Sequence, residues 1–337
     1  MDFMIKLFVS LLLFFFSSLL FGEINGVESS NHHHHYHLYS PKKLFVFGDS
    51  YADTGNTKEP RAVSWRIPYG ITFPGKPSGR FSDGRVSTDF LDYAGEKRLQ
   101  YGMNFAYGGT GVFNTQVTFP NMTTQINLFE QLLGDVYSPS DLSSSLALVS
   151  VAGNDYSDYL SLNLSIAAIP AFINQVVDQT EVNLRRIHAL GVKKIVVPTL
   201  QPLGCLPLYT LSASFQGCND TFNTLVSYHN SLLLQVVAKL NNETNHSTFI
   251  VFDFYNAFLT VFKNKGEYPG STKFETPLKP CCEGSCGHVD EEGTEKYILC
   301  DDPESAFSWD GLHPTQEGWK SVYSVLSKNL TSSLIKP

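Results

Sequence analysis

Short runs of almost uninterrupted apolar residues recur along the chain, and each is about as long as one β-strand. Strands that are covered on both faces have this pattern, because neither face is left to polar residues. The runs predict strands at 44–48, 146–151, 194–199 and 248–254, with a weaker strand at 103–106. A sheet of such strands needs helices above and below it.

Segments with apolar residues at helical spacing lie between these strands. The spacing predicts helices at 86–94, 124–133, 166–190, 221–240 and 314–334. Gly134 and Gly191 follow the second and third of them, in the position where glycine commonly ends a helix. The alternation of strands and helices predicts a doubly wound α/β fold, a three-layer α/β/α sandwich around a parallel sheet.

Two long stretches have no periodic pattern and are predicted to be loops. Residues 56–85 are rich in glycine, proline, arginine and aromatic residues, and residues 264–305 contain four of the six cysteines. Loops of this length in a compact domain are often functional, so we expect both to cover the ligand-binding edge of the sheet. No linker or repeat divides residues 43–337, which predicts one domain.

The first residues of the chain have the features of a secretory signal. Lys6 precedes an apolar run at 7–21, which is short for a membrane span and is followed by small and polar residues. We therefore predict a signal peptide at 1–26, with a retained membrane anchor as the alternative. Residues 27–42, which include five histidines, are predicted to be a flexible tail.

The charge of the chain disfavours nucleic acid as a partner. The 337 residues have a formal net charge of −8, and no basic cluster offers a surface for phosphates. Secretion would agree with the Asn-x-Ser/Thr sequons, which are glycosylated in that pathway alone. They are predicted glycosylation sites: Asn121, Asn163, Asn219, Asn242, Asn245 and Asn329.

The six cysteines are an even number, and in an oxidising compartment they are expected to form disulfides. Cys205 and Cys218 are predicted to pair and close a short loop. The pairing of the other four is left open by the sequence: Cys281, Cys282, Cys286 and Cys300. A zinc site with His288 is the alternative for these four, but the paired C-x2-C spacing of zinc ribbons is missing. We predict neither a metal nor a cofactor.

Candidate chemistry lies near both ends of the predicted domain. Ser50 follows the first strand, and ligands of such sheets bind outside the carboxyl ends of the strands. A serine becomes a nucleophile when a base removes its proton and a carboxylate orients that base. Asp310 and His313 are three residues apart, so one tight turn can present both. We predict Ser50 as the nucleophile, His313 as the base and Asp310 as its partner.

Acyl transfer also needs hydrogen-bond donors for the oxyanion. Two segments that follow strands could supply them, the glycine-rich turn 104–111 and the Gly153-Asn154-Asp155 sequence. The Gly-x-Ser-x-Gly elbow of α/β-hydrolases does not occur in the chain. Another serine-hydrolase arrangement must therefore carry the chemistry.

Together these four blocks resemble the secreted plant branch of the GDSL (SGNH) esterase/lipase family. The blocks are 47–56, 104–109, 153–155 and 310–313. The resemblance implies the flavodoxin-like SGNH hydrolase fold, with Ser50, His313 and Asp310 as the triad. It also implies an oxyanion hole of the Ser50 and Gly109 N–H groups and the Asn154 side chain.

The resemblance implies a serine carboxylic-ester hydrolase of the apoplast or cell wall. Its substrate would be a small-molecule, lipid or acetylated carbohydrate ester. An acyltransferase with an alcohol acceptor and a non-catalytic binding protein of the same fold are the alternatives. Two residues depart from the family pattern, since Tyr51 replaces the leucine of the family name and Ala152 replaces a glycine.

Overall fold

The computed structural model describes residues 41–58, 62–93, 102–151, 153–162, 164–266 and 274–333. The predicted signal peptide at 1–26 lies outside these residues, as does the predicted tail except for residues 41 and 42. No helix within the described residues is both long and apolar enough to cross a membrane.

The central sheet has five parallel strands in the order β2-β1-β3-β4-β5. The strands are β1 (Lys43–Gly48), β2 (Met103–Asn104), β3 (Ser145–Ser150), β4 (Lys194–Pro198) and β5 (Phe249–Phe252). Every apolar run that predicted a strand is therefore in the sheet. This is the strand order of flavodoxin-like folds. In these folds the direction in which successive strands are added across the sheet reverses between β1 and β3.

Helices cover both faces of the sheet. They are α1 (Ser87–Tyr93), α2 (Met122–Glu130), α3 (Pro139–Ser143), α4 (Gly153–Ser161), α5 (Ile169–Ala189), α6 (Pro207–Thr210), α7 (Asp220–Thr244), α8 (Phe254–Asn264) and α9 (Gln316–Ser333). Helices α2, α4, α5 and α7 pack on one face, and α1, α8 and α9 pack on the other. The predicted three-layer α/β/α sandwich is confirmed.

Strand β1 shows why its sequence has no polar face. Phe45 and Phe47 point into one hydrophobic core, and Leu44 and Val46 point into the other. Successive side chains of a strand alternate between faces, so a strand with helices on both sides must be apolar throughout. The same alternation continues in β3 and β4 and fixes the sheet between its two layers.

The prediction of a loop at 264–305 is wrong for part of this stretch. An antiparallel hairpin of β6 (Cys282–Val289) and β7 (Glu295–Leu299) lies there. Disulfides Cys281–Cys300 and Cys282–Cys286 tie it together, and a third disulfide joins Cys205 to Cys218. The predicted presence of disulfides is confirmed. All four hairpin cysteines are bonded in pairs, which leaves no thiolate for the zinc site weighed above.

Candidate active site

Ser50 lies in the turn directly after β1, and the turn is held from two sides. A Cβ on Gly48 would be 2.3 Å from the carbonyl oxygen of Ser150, so the close approach of β1 to β3 requires glycine. The buried amide of Gln125 accepts the N–H of Gly48 at 2.8 Å and donates to its carbonyl oxygen at 2.9 Å. These two hydrogen bonds replace those that a neighbouring strand would make to Gly48, and they fix the backbone before Ser50.

Asp310 and His313 lie in a tight turn that begins after Trp309. The N–H of Trp309 donates to the carbonyl oxygen of His313 at 2.7 Å and closes the turn. Within it, Oδ1 of Asp310 accepts the backbone N–H groups of Leu312 and His313 at 2.8 and 2.9 Å. The three-residue spacing thus directs the carboxylate toward the imidazole, as the sequence predicted it could.

The structure brings Ser50, His313 and Asp310 into one hydrogen-bonded row. Nε2 of His313 is 2.8 Å from Oγ of Ser50, and Nδ1 is 2.9 Å from both carboxylate oxygens of Asp310. Each of the three residues is about 8% exposed. Burial would raise the pKa of Asp310, but the charge of His313 and the hydrogen bonds to the carboxylate lower it overall. An ionised Asp310 favours a proton on Nδ1, which leaves Nε2 to accept from Ser50.

The loop with Gly109 runs beside the end of β1. Tyr107 donates its N–H to the carbonyl oxygen of Gly48 at 3.1 Å, and the N–H of Gly108 donates to the buried carboxylate of Asp53 at 3.0 Å. Gly109 has a φ of 79°, which glycine adopts readily. In the described part of the chain, neither the Ser50 N–H nor the Gly109 N–H donates to a protein acceptor. Both are available for a ligand.

Helix α4 is tied to this loop by its first residues. Asn154 donates one side-chain N–H to the carbonyl oxygen of Thr110 at 2.9 Å, which leaves its second N–H available. Asp155, 2% exposed, accepts the N–H groups of Val112 and Phe113, both at 2.9 Å. Burial raises the pKa of Asp155 to about 6, although these two donors lower it. Asp155 was named from the sequence as part of its block but was given no role of its own; in the structure it joins the two segments with predicted oxyanion donors.

Two tyrosine hydroxyls contact the Asp310–His313 turn, and sequence reasoning linked neither of them to this turn. Tyr69 donates to Oδ2 of Asp310 at 2.8 Å, and Tyr51 donates to the carbonyl oxygen of Leu312 at 2.6 Å. The ring of Tyr51 also lies edge-on to His313, with centroids 5.8 Å apart. Tyr51 was noticed as a departure from the family pattern, whereas Tyr69 lies in the stretch predicted to be a functional loop.

Asp49 precedes Ser50 in the chain and is not part of the hydrogen-bonded row. Its Oδ1 accepts the N–H of Tyr51 at 3.0 Å, which supports the turn around Ser50. Burial raises the pKa of Asp49 to about 7, and this N–H lowers it less than burial raises it. Asp49 therefore changes its protonation near neutral pH, next to Ser50 and His313.

An open cleft leads to Ser50 and extends along the carboxyl ends of β3, β4 and β5. Its empty volume, including the open mouth, is about 590 Å³. Asn154, Thr199 and Gln201 contribute polar groups to its lining. The apolar side chains of the lining include Val151, Pro198, Leu200, Leu203, Leu206, Phe254 and Leu312. The cleft thus offers an apolar surface beside the Ser50 hydroxyl and several polar side chains.

The predicted glycosylation sites differ in how they are placed. Asn242 and Asn245 are exposed, while Asn121 and Asn219 are half-buried and cap the first turns of α2 and α7. Asn163 and the side chain of Asn329 lie outside the described residues. Among the described residues, no group of three or more His, Cys, Asp and Glu side chains could hold a metal ion.

Comparisons with known proteins place the chain among ester hydrolases. The model of the family "GDSL-like Lipase/Acylhydrolase" matches residues 44–326. A GDSL esterase/lipase of Arabidopsis thaliana is 67% identical over the full length of both chains. A second one is 58% identical over 96% of this chain and 98% of its own.

Other relatives and solved structures are less similar to this chain in sequence. Acetylajmalan esterase 2 of Rauvolfia serpentina is 31% identical over 86% of this chain and 91% of its own. Among solved structures, an extracellular lipase of Streptomyces rimosus is 16% identical, with a TM-score of 0.40 over 85% of this chain and 98% of its own. The fold assignment therefore depends on the strand order and the family match. The chain belongs to the GDSL-like lipase/acylhydrolase family of carboxylic ester hydrolases, as its four sequence blocks predict.

Proposed function

We propose that the protein hydrolyses carboxylic esters through an acyl-enzyme formed on Ser50. His313 removes the proton of the Ser50 hydroxyl as Oγ attacks the ester carbonyl carbon. The imidazolium then gives this proton to the departing alcohol as its C–O bond breaks. Water attacks the acyl-enzyme in the same way, with His313 again as base, and releases the acid and free Ser50.

The observation that carries this proposal is the row of short contacts from Ser50 through His313 to Asp310. Three donors support the charge that develops on the carbonyl oxygen, namely the N–H groups of Ser50 and Gly109 and the free side-chain N–H of Asn154. Such donors act strongly in a site from which water is largely excluded. Apolar side chains on the cleft wall favour an ester with an apolar acyl or alcohol group.

We also propose that the protein is secreted and glycosylated. Three disulfides support an oxidising compartment, because cytosolic proteins rarely keep them. The apolar run at 7–21 supports entry into the secretory pathway. Expression of a tagged chain in plant cells should give an extracellular product whose mass falls on N-glycan removal, while deletion of residues 1–26 should retain it inside the cell.

The experiment for the catalytic proposal is Ser50→Ala, because this change removes one hydroxyl and keeps the turn. We expect hydrolysis of p-nitrophenyl acetate to fall at least about a thousandfold, because loss of a triad serine has effects of this order or larger. Ser227→Ala is the control, since Ser227 is an exposed helix residue whose hydroxyl bonds to the backbone of Asn223. Full turnover by Ser50→Ala would refute the acyl-enzyme.

A further inference from the structure

The hydroxyl of Tyr69 reaches the carboxylate of Asp310 from a distant part of the chain. The O–H donates to Oδ2 at 2.8 Å, and the two residues are 241 positions apart. We propose that Tyr69 is a positioning residue that sets the basicity of His313 through this hydrogen bond. This inference rests on the proposed function, because it assumes that His313 is the base for Ser50.

The donors around Asp310 are distributed unevenly between its two oxygens. Oδ1 accepts two backbone N–H groups of the turn, and both oxygens lie 2.9 Å from Nδ1 of His313. At Oδ2, Tyr69 competes with the imidazole for the negative charge. Removing this donor leaves more of that charge facing Nδ1, which stabilises the imidazolium relative to the neutral imidazole.

The phenol is suited to donate at any pH at which the enzyme works. Burial raises the pKa of Tyr69 well above its usual value, and the nearby negative charge of Asp310 raises it further. Tyr69 is 2% exposed, so water does not replace its hydrogen bond freely. The group therefore stays protonated, and its O–H can only point to an acceptor such as Asp310.

The position of Tyr69 is fixed by its neighbours. Its N–H donates to the carbonyl oxygen of Arg66 at 3.0 Å, and its ring lies edge-on to Trp309 with centroids 5.9 Å apart. The disulfide hairpin packs on the other side, where a Cβ on Gly287 would be 3.3 Å from the Tyr69 ring. A phenylalanine keeps these ring contacts, so Tyr69→Phe removes the hydroxyl and little else.

Other titratable groups also act on His313 and must remain unchanged in the test. Asp49 interacts with His313 through its charge, and Tyr51 contacts the imidazole with its ring. Asp310 and the Ser50 hydroxyl complete the groups around the imidazole. The remaining ring contact is with Phe81, which does not titrate. A comparison between two tyrosine variants leaves Asp49 in place in both.

The test is the pH dependence of Ser50 labelling by a fluorophosphonate, which needs His313 in its neutral form and no knowledge of the substrate. For Tyr69→Phe, we expect the acid limb of the rate constant to move to higher pH by roughly 0.5–1 unit, because a lost hydrogen bond changes a pKa on this scale. Tyr51→Phe is the matched control. This variant also removes a hydroxyl that contacts the Asp310–His313 turn, but that hydroxyl bonds to the carbonyl oxygen of Leu312 and not to Asp310. The acid limb of Tyr51→Phe should therefore stay in place.

A substitution that should move the acid limb in the opposite direction strengthens the test. Incorporation of 3-fluorotyrosine at position 69 makes the phenol more acidic and the hydrogen bond stronger, so the acid limb should move to lower pH. An unmoved acid limb in Tyr69→Phe, with an unfolding temperature near that of the wild type, would overturn the inference. Failure of the wild type to be labelled at Ser50 would instead overturn the proposed function.

Discussion

Gly111 has no room for a side chain, because the carboxylate of Asp155 lies where a Cβ would be. A Cβ at this position would be 2.6 Å from Cγ and from both carboxylate oxygens. The change Gly111→Ala must therefore move the carboxylate by roughly 0.8 Å to reach an ordinary contact of 3.4 Å. The two hydrogen bonds from Val112 and Phe113, now 2.9 Å, would lengthen beyond the range of hydrogen bonds.

The expected loss follows from these two contacts. A hydrogen bond to a charged group contributes about 1.5–3 kcal/mol, so loss of both would lower the free energy of unfolding by at most about 3–6 kcal/mol. This is a large part of the stability of an ordinary domain. Because Asp155 joins the Gly109 loop to the helix of Asn154, the proposed oxyanion donors would also separate. Loss of one such donor lowers the rate about 10²–10³-fold.

Urea unfolding at pH 8 and fluorophosphonate labelling of Ser50 measure the two effects. At this pH Asp155 is ionised, since its pKa is about 6. Gly217→Ala is the control, because no atom lies within 4 Å of a Cβ at that position. If Gly111→Ala were as stable as Gly217→Ala and were labelled at the same rate, the link assigned to Asp155 would be refuted.

Two further predictions concern the cleft. Burial raises the pKa of Asp49 from the ordinary 3.8 to about 7, so the contribution of this group to stability is complete below about pH 4 and is lost as the pH rises through 7. Asp49→Asn should remove this loss of stability, which is at most about 4 kcal/mol. Stability is measured by urea unfolding from pH 4 to 8, and parallel curves for the variant and the wild type would contradict the prediction. Asn154→Ala should lower kcat for p-nitrophenyl acetate about 10²–10³-fold, with a much smaller change in KM. A change confined to KM would exclude Asn154 from the oxyanion hole.

The sheet could be predicted because its strands are covered on both faces and are therefore apolar throughout. The same reasoning failed at the boundary of β5, where Phe252 and Phe254 suggested one continuous strand. In the structure Asp253 accepts the N–H of Asn256 and begins α8 between these two apolar residues. The start of a helix inside an apolar run cannot be recognised from the hydrophobic pattern. The N-cap aspartate was the residue from which this start could have been predicted.

The hairpin of β6 and β7 escaped prediction for a different reason. Disulfides and a small cluster with Tyr69 and Trp309 support it, and most residues of both strands are at least partly exposed. Its strands therefore lack the apolar pattern on which the strand prediction was based. Ser50, the proposed nucleophile, and the Asp310–His313 pair were recognisable from local spacing. Tyr69 and Asp155 were not, since each acts on a residue that is far away in the sequence.

The two partners in the Ser50–His313 hydrogen bond are 263 positions apart. During synthesis, β1 and its serine leave the ribosome long before the turn that supplies the base. A chain that ends before Asp310 therefore has a serine hydroxyl with no group to remove its proton. Long-range closure of this kind comes late in folding, because its entropy cost must be met by contacts made earlier. We therefore expect the reactivity of Ser50 to report completed folding.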